Sequence, residues 1–237
     1  MQLSEIKERG KVLQSQLLLQ LEGMEHFSST KASTKADADV WMPKQIHSTR
    51  ICIVNENGRV ALDENRVAQS EDLPSDTTIE GDAVITQRVG QWIGIRTADC
   101  VPVLLFDPKI RVVAAIHAGW RGTALKIAPK TLFKMQEKYQ TKPKNVVCLI
   151  GPCISFKHFE TSIEAIEALG AAVQDKTGLF RGRYADLKGI NRRQLEELGV
   201  EEFDICPFCT VDDNDKFFSY RKENATKLRH SAVVCLR

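Results

Sequence analysis

The chain has 237 residues, 43% hydrophobic and 27% charged, which is enough for a full apolar core and an ordinary soluble composition. A net charge of +2 without a basic block argues against a nucleic-acid or membrane surface, and no apolar run nears the roughly 18 residues of a membrane span. The first nine residues mix charges of both signs without a signal-peptide core, and seven cysteines, an odd number, fit free thiols in a reducing cytoplasm.

Leu3, Ile6, Leu13, Leu17, Leu21 and Met24 recur near the 3–4 spacing of an amphipathic helix. This predicts a peripheral helix over residues 3–24, weakened by Gly10. Residues 28–39, rich in Ser, Thr, Lys and Ala, read as a loop. A strand over 50–54, a turn at Asn55-Glu-Asn-Gly58 and a short return strand follow. Residues 63–80 are polar and acidic and read as an exposed connection. Strands are expected over 83–87 and 91–97, joined through Gly90.

The apolar, β-branched runs 101–106 and 111–116 flank Asp107-Pro-Lys-Ile110, which predicts an antiparallel hairpin with a four-residue loop. With Phe106 facing Arg111, Cys100 falls opposite His117, with Cβ atoms roughly 4.5–5.5 Å apart. After Gly122 the pattern turns helical, with Thr123 as the expected N-cap and Pro129 restarting or kinking the helix. A buried strand over 146–150, helices over 162–174 and 186–198, and strands over 217–221 and 232–236 complete the reading. With no repeat and no linker, residues 1–237 are expected to form one α+β domain of largely antiparallel sheets flanked by helices.

Cys100 and His117 share a face at the hairpin mouth, beside Gly119 and Gly122, and His47 lies between Gln45 and Ser48. Two chemistries are open. His47, Cys100 and His117 suit zinc with a fourth position left for water or substrate. Alternatively, Cys100 is a thiolate nucleophile with His117 as its base. Cys206-Pro-Phe-Cys209 is a single CxxC, the spacing of a redox pair or of half a zinc site, but no second pair completes it and chance accounts for it equally well. Gly119-Trp-Arg-Gly-Thr123 runs from a strand into a helix start, where backbone N–H groups and the Arg121 guanidinium favour an anion. The spacing fits neither a Walker loop nor a dinucleotide fingerprint.

Seven blocks together resemble one family. They are Gln45-Ile-His-Ser48, Gly81-Asp-Ala-Val-Ile-Thr86, Arg96-Thr-Ala-Asp-Cys-Val-Pro-Val103, Ala115-Ile-His-Ala-Gly-Trp-Arg-Gly122, Ile150-Gly-Pro-Cys-Ile154, Cys209-Thr210 and Phe217-Phe-Ser-Tyr-Arg221. The chain is similar to the YfiH-like, or laccase-domain, proteins, a family regarded as purine nucleoside phosphorylases. The resemblance implies zinc held by His47, Cys100 and His117. It also implies phosphorolysis of adenosine, inosine, guanosine and methylthioadenosine, with adenosine deamination as a side activity. Purine nucleosides and phosphate are then the partners. Arg121 and Arg221 would clamp phosphate, Gln45 and Ser48 would orient substrate or ligand, and Asp99 is the carboxylate candidate for acid/base work. Cys100 and His117 join Asp99 among the catalytic candidates.

Some blocks depart from the pattern. Phe27-Ser-Ser-Thr-Lys31 lacks the usual arginine and glycines, Phe159-Glu-Thr161 replaces Tyr-Glu-Val, and the terminal Gly-Arg motif is blurred around 227–229. These changes bear on which nucleoside is preferred. The family's older label, copper laccase, does not fit the histidine count. A multicopper cluster needs about ten imidazoles, several as His-x-His pairs, whereas this chain has five, and the nearest two, His26 and His47, lie 21 positions apart. The rival functions are a thiol hydrolase acting on a cell-wall precursor and a non-catalytic metal-binding scaffold.

Overall fold

The computed structural model describes residues 1–6, 9–33, 39–62 and 79–237. Strands β1 (Gln2–Ile6) and β2 (Gly10–Gln14), the short helix α1 (Gln16–Leu19) and strand β3 (Met24–Ser33) open the chain. Next come β4 (Ile51–Val54), β5 (Val60–Leu62), β6 (Ala83–Thr86), β7 (Ile93–Thr97), β8 (Val101–Asp107) and β9 (Val112–Ala118). Helices α2 (Trp120–Ala124) and α3 (Ile127–Tyr139), strand β10 (Val147–Ile150) and helix α4 (Ile163–Ala171) follow. The minor strands β11 (Phe180–Arg181) and β12 (Tyr184–Ala185), helix α5 (Leu187–Glu196), and strands β13 (Glu202–Ile205) and β14 (His230–Leu236) close the fold.

Two main sheets stack. One has the order β1-β2-β3-β14-β7 and the other β13-β10-β8-β9-β6-β4-β5. Pairing within them is antiparallel except at β10/β13 and β4/β6. Ile93 and Ile95 of β7 and Val234 and Leu236 of β14 pack with Leu104, Phe106, Val113 and Ala115 of β8 and β9. On the other face of β8 and β9, Val101, Val103, Leu105, Val112, Ala114 and Ile116 meet Leu132 of α3 and Ile190 and Leu195 of α5. These two strands are thus covered on both sides, which is why their sequences run apolar without a break. The architecture is the expected α+β one, and among the described residues no helix is long and apolar enough to cross a membrane.

Several local expectations give way. The helix over 3–24 is replaced by the β1–β2 hairpin, whose return strand opens at Gly10 (φ +72°) opposite Ile6, and among the described residues of that span only Gln16–Leu19 is helical, capped by Ser15. Leu13 is fully buried, so tertiary packing of β2 against β3 overrides the helical spacing. Strand β3 runs on through Ser28, Ser29 and Thr30, read above as loop, because their hydroxyl-rich side chains are buried in the sheet; Ser29 Oγ, for example, accepts the Ser231 amide. Residues 63–78 of the acidic connection lie outside the described residues. The helix after the hairpin begins at Trp120 with Gly119 as cap, and Lys126 (φ +61°) separates it from α3, whose third residue is Pro129. Residues 217–221 form turns rather than a strand, since the Phe217 amide returns to the Asp213 carbonyl and the Ser219 amide to the Glu223 carboxylate.

The central hairpin pairs Asp107 with Val112 and Pro102 with His117, two positions removed from the expected register. Asp107 stays in the strand because its carboxylate accepts the amides of Lys109 and Ile110, and Arg111, at φ +58°, closes the turn onto the Asp107 carbonyl. A shift of two keeps every side chain on its face. Cys100 therefore keeps the parity of Leu104 and Phe106, and His117 that of Val113 and Ala115, the face turned toward β7 and β14.

Candidate active site

His117, near the end of the buried strand β9, is 4% exposed. Cys100 is half-buried just before β8, and the exposed His47 sits ahead of β4 in a left-handed conformation (φ +59°). The two imidazole rings meet edge to face with centroids 4.9 Å apart. One ring nitrogen from each histidine and Cys100 Sγ all lie within 4.8 Å of one another. Gly119 makes room for this: a Cβ there would stand 3.1 Å from His47 Cδ2 and 3.2 Å from Cys100 Sγ.

One carboxylate, assigned no role from the sequence, holds the group together. Asp82 is fully buried between Gly81 and β6. Its Oδ1 accepts the His47 amide at 3.0 Å and lies 2.8 Å from His117 Nδ1. Its Oδ2 accepts the amide of Ser48 at 2.6 Å, the Ser48 hydroxyl at 2.7 Å and the Ile46 amide at 3.3 Å. Asp82 thereby fixes both the strained loop that carries His47 and the ring of His117, leaving His117 Nε2 for the pocket, the arrangement of carboxylate-supported metal ligands. The signal was present in the Gly81-Asp82 block, one residue before a strand that pairs with the strand of His117.

Burial opposes charge on Asp82, yet hydrogen bonds from His117 and Ser48 outweigh it and hold the carboxyl below its ordinary range. Burial also disfavours the Cys100 thiolate, but the His117 charge and hydrogen bonds from both histidines bring the thiol down to about 6. His117 moves the opposite way, to about 9: burial would lower it, but Cys100 and Asp82 win. The two shifts run in opposite directions and each favours the charged form, a thiolate beside an imidazolium.

These groups open into a cavity of about 540 Å³, within the usual range for small-molecule sites. Trp120, Ile154, Phe159 and Tyr220 form apolar walls, and Gln45, Arg96, Arg121, Arg221 and Arg229 supply polar ones. Arg121 is exposed, with its guanidinium 4.4 Å from the Trp120 ring centroid. The Arg221 guanidinium donates to the carbonyls of His158 and Glu160. Gln45 pairs its amide with the backbone of Arg96 in both directions, and Ser48 is turned to Asp82. Asp99, at φ +82°, lines the cavity, but its two oxygens accept from Thr210 Oγ1 at 2.5 Å and the Arg221 amide at 2.6 Å.

The sequence matches, over residues 23–237, a family model described as multi-copper polyphenol oxidoreductase laccase. The chain belongs to this family. Its relatives include a protein of Bacteroides thetaiotaomicron named purine nucleoside phosphorylase, 33% identical over 91% of this chain and 76% of that protein. A Haemophilus influenzae protein of the same name is 28% identical over 88% and 84%. Adenosine deaminase RL5, from an unknown prokaryotic organism, is 32% identical over 78% and 70%. The fold matches the crystal structure of YfiH from Bacillus licheniformis (TM-score 0.78, 21% identity, 99% of each chain). It also matches that of YlmD from Geobacillus stearothermophilus (TM-score 0.77, 23% identity, 92% and 93%). Unlike the family's multi-copper description, this laccase-family member brings two imidazoles to the pocket. His26 accepts the Ser15 amide, His230 pairs with Thr97, and His158 stands beside Asp212.

Proposed function

We propose that this chain is a zinc-dependent purine nucleoside phosphorylase, converting adenosine, inosine, guanosine or methylthioadenosine and phosphate to free base and ribose 1-phosphate, with adenosine deamination as a side activity. The observation that carries this reading is the meeting of His47, Cys100 and His117 in a cavity with both apolar and arginine-rich walls. The names of the relatives from Bacteroides, Haemophilus and the RL5 source support it.

Two imidazoles and a thiol of lowered pKa are a donor set that zinc accepts, with a position left open. A divalent ion held there supplies positive charge and Lewis acidity toward the substrate. In phosphorolysis, an oxygen of phosphate bonds to C1′ of the ribose while the bond from C1′ to purine N9 breaks; the base departs with the electron pair and takes up a proton. Arg121 draws phosphate into the pocket. Arg221 keeps donors beyond the two spent on carbonyls for the same anion. The apolar walls hold the purine and exclude water. Asp99 positions Arg221, Gln45 fixes the Arg96 strand end, and Ser48 steadies the His47 loop through Asp82.

A second reading, a thiol hydrolase, rests on the hydrogen-bonded order Cys100–His117–Asp82, with a cell-wall precursor as the substrate that the family resemblance offers for it. The additional imidazole of His47 favours the metal reading, since a thiol nucleophile needs a single base. The test is chromatography of inosine incubated with phosphate and the zinc-loaded protein. Hypoxanthine and ribose 1-phosphate in equal amounts, formed only with phosphate and lost in Cys100→Ala and His117→Ala, are expected. Absence of hypoxanthine with zinc bound would refute the assignment and leave the scaffold or the hydrolase.

A further inference from the structure

A second set of soft and hard donors lies apart from the first. His158, on the loop after β10, and Cys209 and Asp212, on the turns after β13, present an imidazole nitrogen, a thiol sulfur and a carboxylate oxygen all within 4.8 Å of one another. His158 Nε2 is 2.7 Å from Asp212 Oδ1. Cys209 is buried and held from both sides: its sulfur accepts the Ser155 amide at 3.3 Å, and its own amide donates to Asp213 Oδ2 at 3.0 Å. Ser155 also buries a hydroxyl oxygen that has no protein partner. Ligand atoms on one tetrahedral zinc ion sit roughly 3.4–3.8 Å apart, so about 1 Å of side-chain movement completes the set. Asp212 is 50% exposed, which opens the group to solvent. Two lysines also face Asp212: Lys157 Nζ, 3.8 Å away, is 74% exposed and readily displaced, and Lys222 Nζ donates to the Val211 carbonyl.

We propose that His158, Cys209 and Asp212 bind a second divalent transition-metal ion, with zinc favoured by the thiol–imidazole–carboxylate chemistry. The ion ties together two loops that border the pocket. The His158 carbonyl receives the Arg221 guanidinium, and Thr210, next to Cys209, donates to Asp99, which in turn holds the Arg221 amide. Its role is to fix that wall of the cavity, and its binding does not depend on what the first site holds.

The test uses the full chain carrying Cys100→Ser, which removes the thiol of the first pocket. Added cobalt is expected to give thiolate-to-cobalt absorption at one ion per chain. Cys209→Ser in that background abolishes the band. His158→Gln and Asp212→Asn, both at partly exposed positions, keep the fold by circular dichroism yet weaken the band at least tenfold in cobalt concentration. Equilibrium dialysis of the otherwise unaltered chain against zinc gives one ion fewer for His158→Gln. No thiolate absorption in the Cys100→Ser chain, or the same zinc content with and without His158, overturns the proposal whatever the outcome of the inosine assay.

Discussion

Replacing Asp82 with asparagine tests how the first site is held. Asp82 accepts five hydrogen bonds across its two oxygens, and asparagine has a single oxygen. If that oxygen keeps the His117 and His47 donors, the amide NH2 confronts the Ser48 amide at the 2.6 Å position. The Ser48 and Ile46 amides both lose their acceptor, and each donor left buried and unpaired costs about 1–3 kcal/mol of stability. Loss of a carboxylate behind a metal-ligating histidine weakens metal binding about 10–100-fold, or about 1.4–2.7 kcal/mol. Zinc affinity is measured by competition with a chromophoric chelator, and stability by urea unfolding of the metal-free chain, with Glu80→Gln on the exposed Arg50 and Lys44 pairs as control. The pH dependence has a definite sign. The folded carboxyl lies below its ordinary 3.8, so its stabilisation is present above that pH and is lost as pH falls through the depressed folded value. The gap between wild type and Asp82→Asn therefore narrows in acid. A well-folded Asp82→Asn chain that binds zinc within twofold of wild type would refute the support role.

Gly119→Ala places a methyl against His47 and Cys100, and is expected to cut zinc affinity about tenfold or more while changing stability by under about 1 kcal/mol, read by the same titrations. Arg121→Ala should raise the phosphate KM about tenfold or more and leave the inosine KM nearly unchanged in steady-state kinetics, because the lost fork serves the anion. In metal-stripped protein, iodoacetamide should label Cys100 first by peptide mass mapping. Its rate holds from pH 9 down to about 6 and then falls, whereas burial pushes Cys52 and Cys153 up to about 12 and Cys206 and Cys235 to about 11. Zinc protects Cys100, and equal labelling of Cys153 would contradict the charge assignment.

The central hairpin was legible because two apolar runs and a turn leave few alternatives, and the parity of its faces survived a misplaced loop. The exact register was not legible, since it depends on Asp107 serving as both strand residue and turn cap. The N-terminal helix failed for the converse reason: leucines three or four apart also suit short strands around a positive-φ glycine, and only the neighbouring sheet decides between them. His47, Cys100 and His117 were visible through the motif blocks. Asp82 is marked in sequence only by its place in the Gly81-Asp82 block, since nothing about an aspartate ahead of a strand tells that it is buried or which groups it holds. Asp99 and Arg221 looked like free reagents in sequence, whereas the fold ties each to the other.

The three donors of the first pocket differ in how firmly the protein grips them. His117 is rooted in a strand covered on both faces, Cys100 is half-sheltered, and His47 stands in solvent on a loop. Ion exchange should thus follow an order of attachment, with His47 the last to engage and the first to let go. Its replacement by alanine would speed zinc departure, while the thiol and the inner imidazole still set which ion is captured.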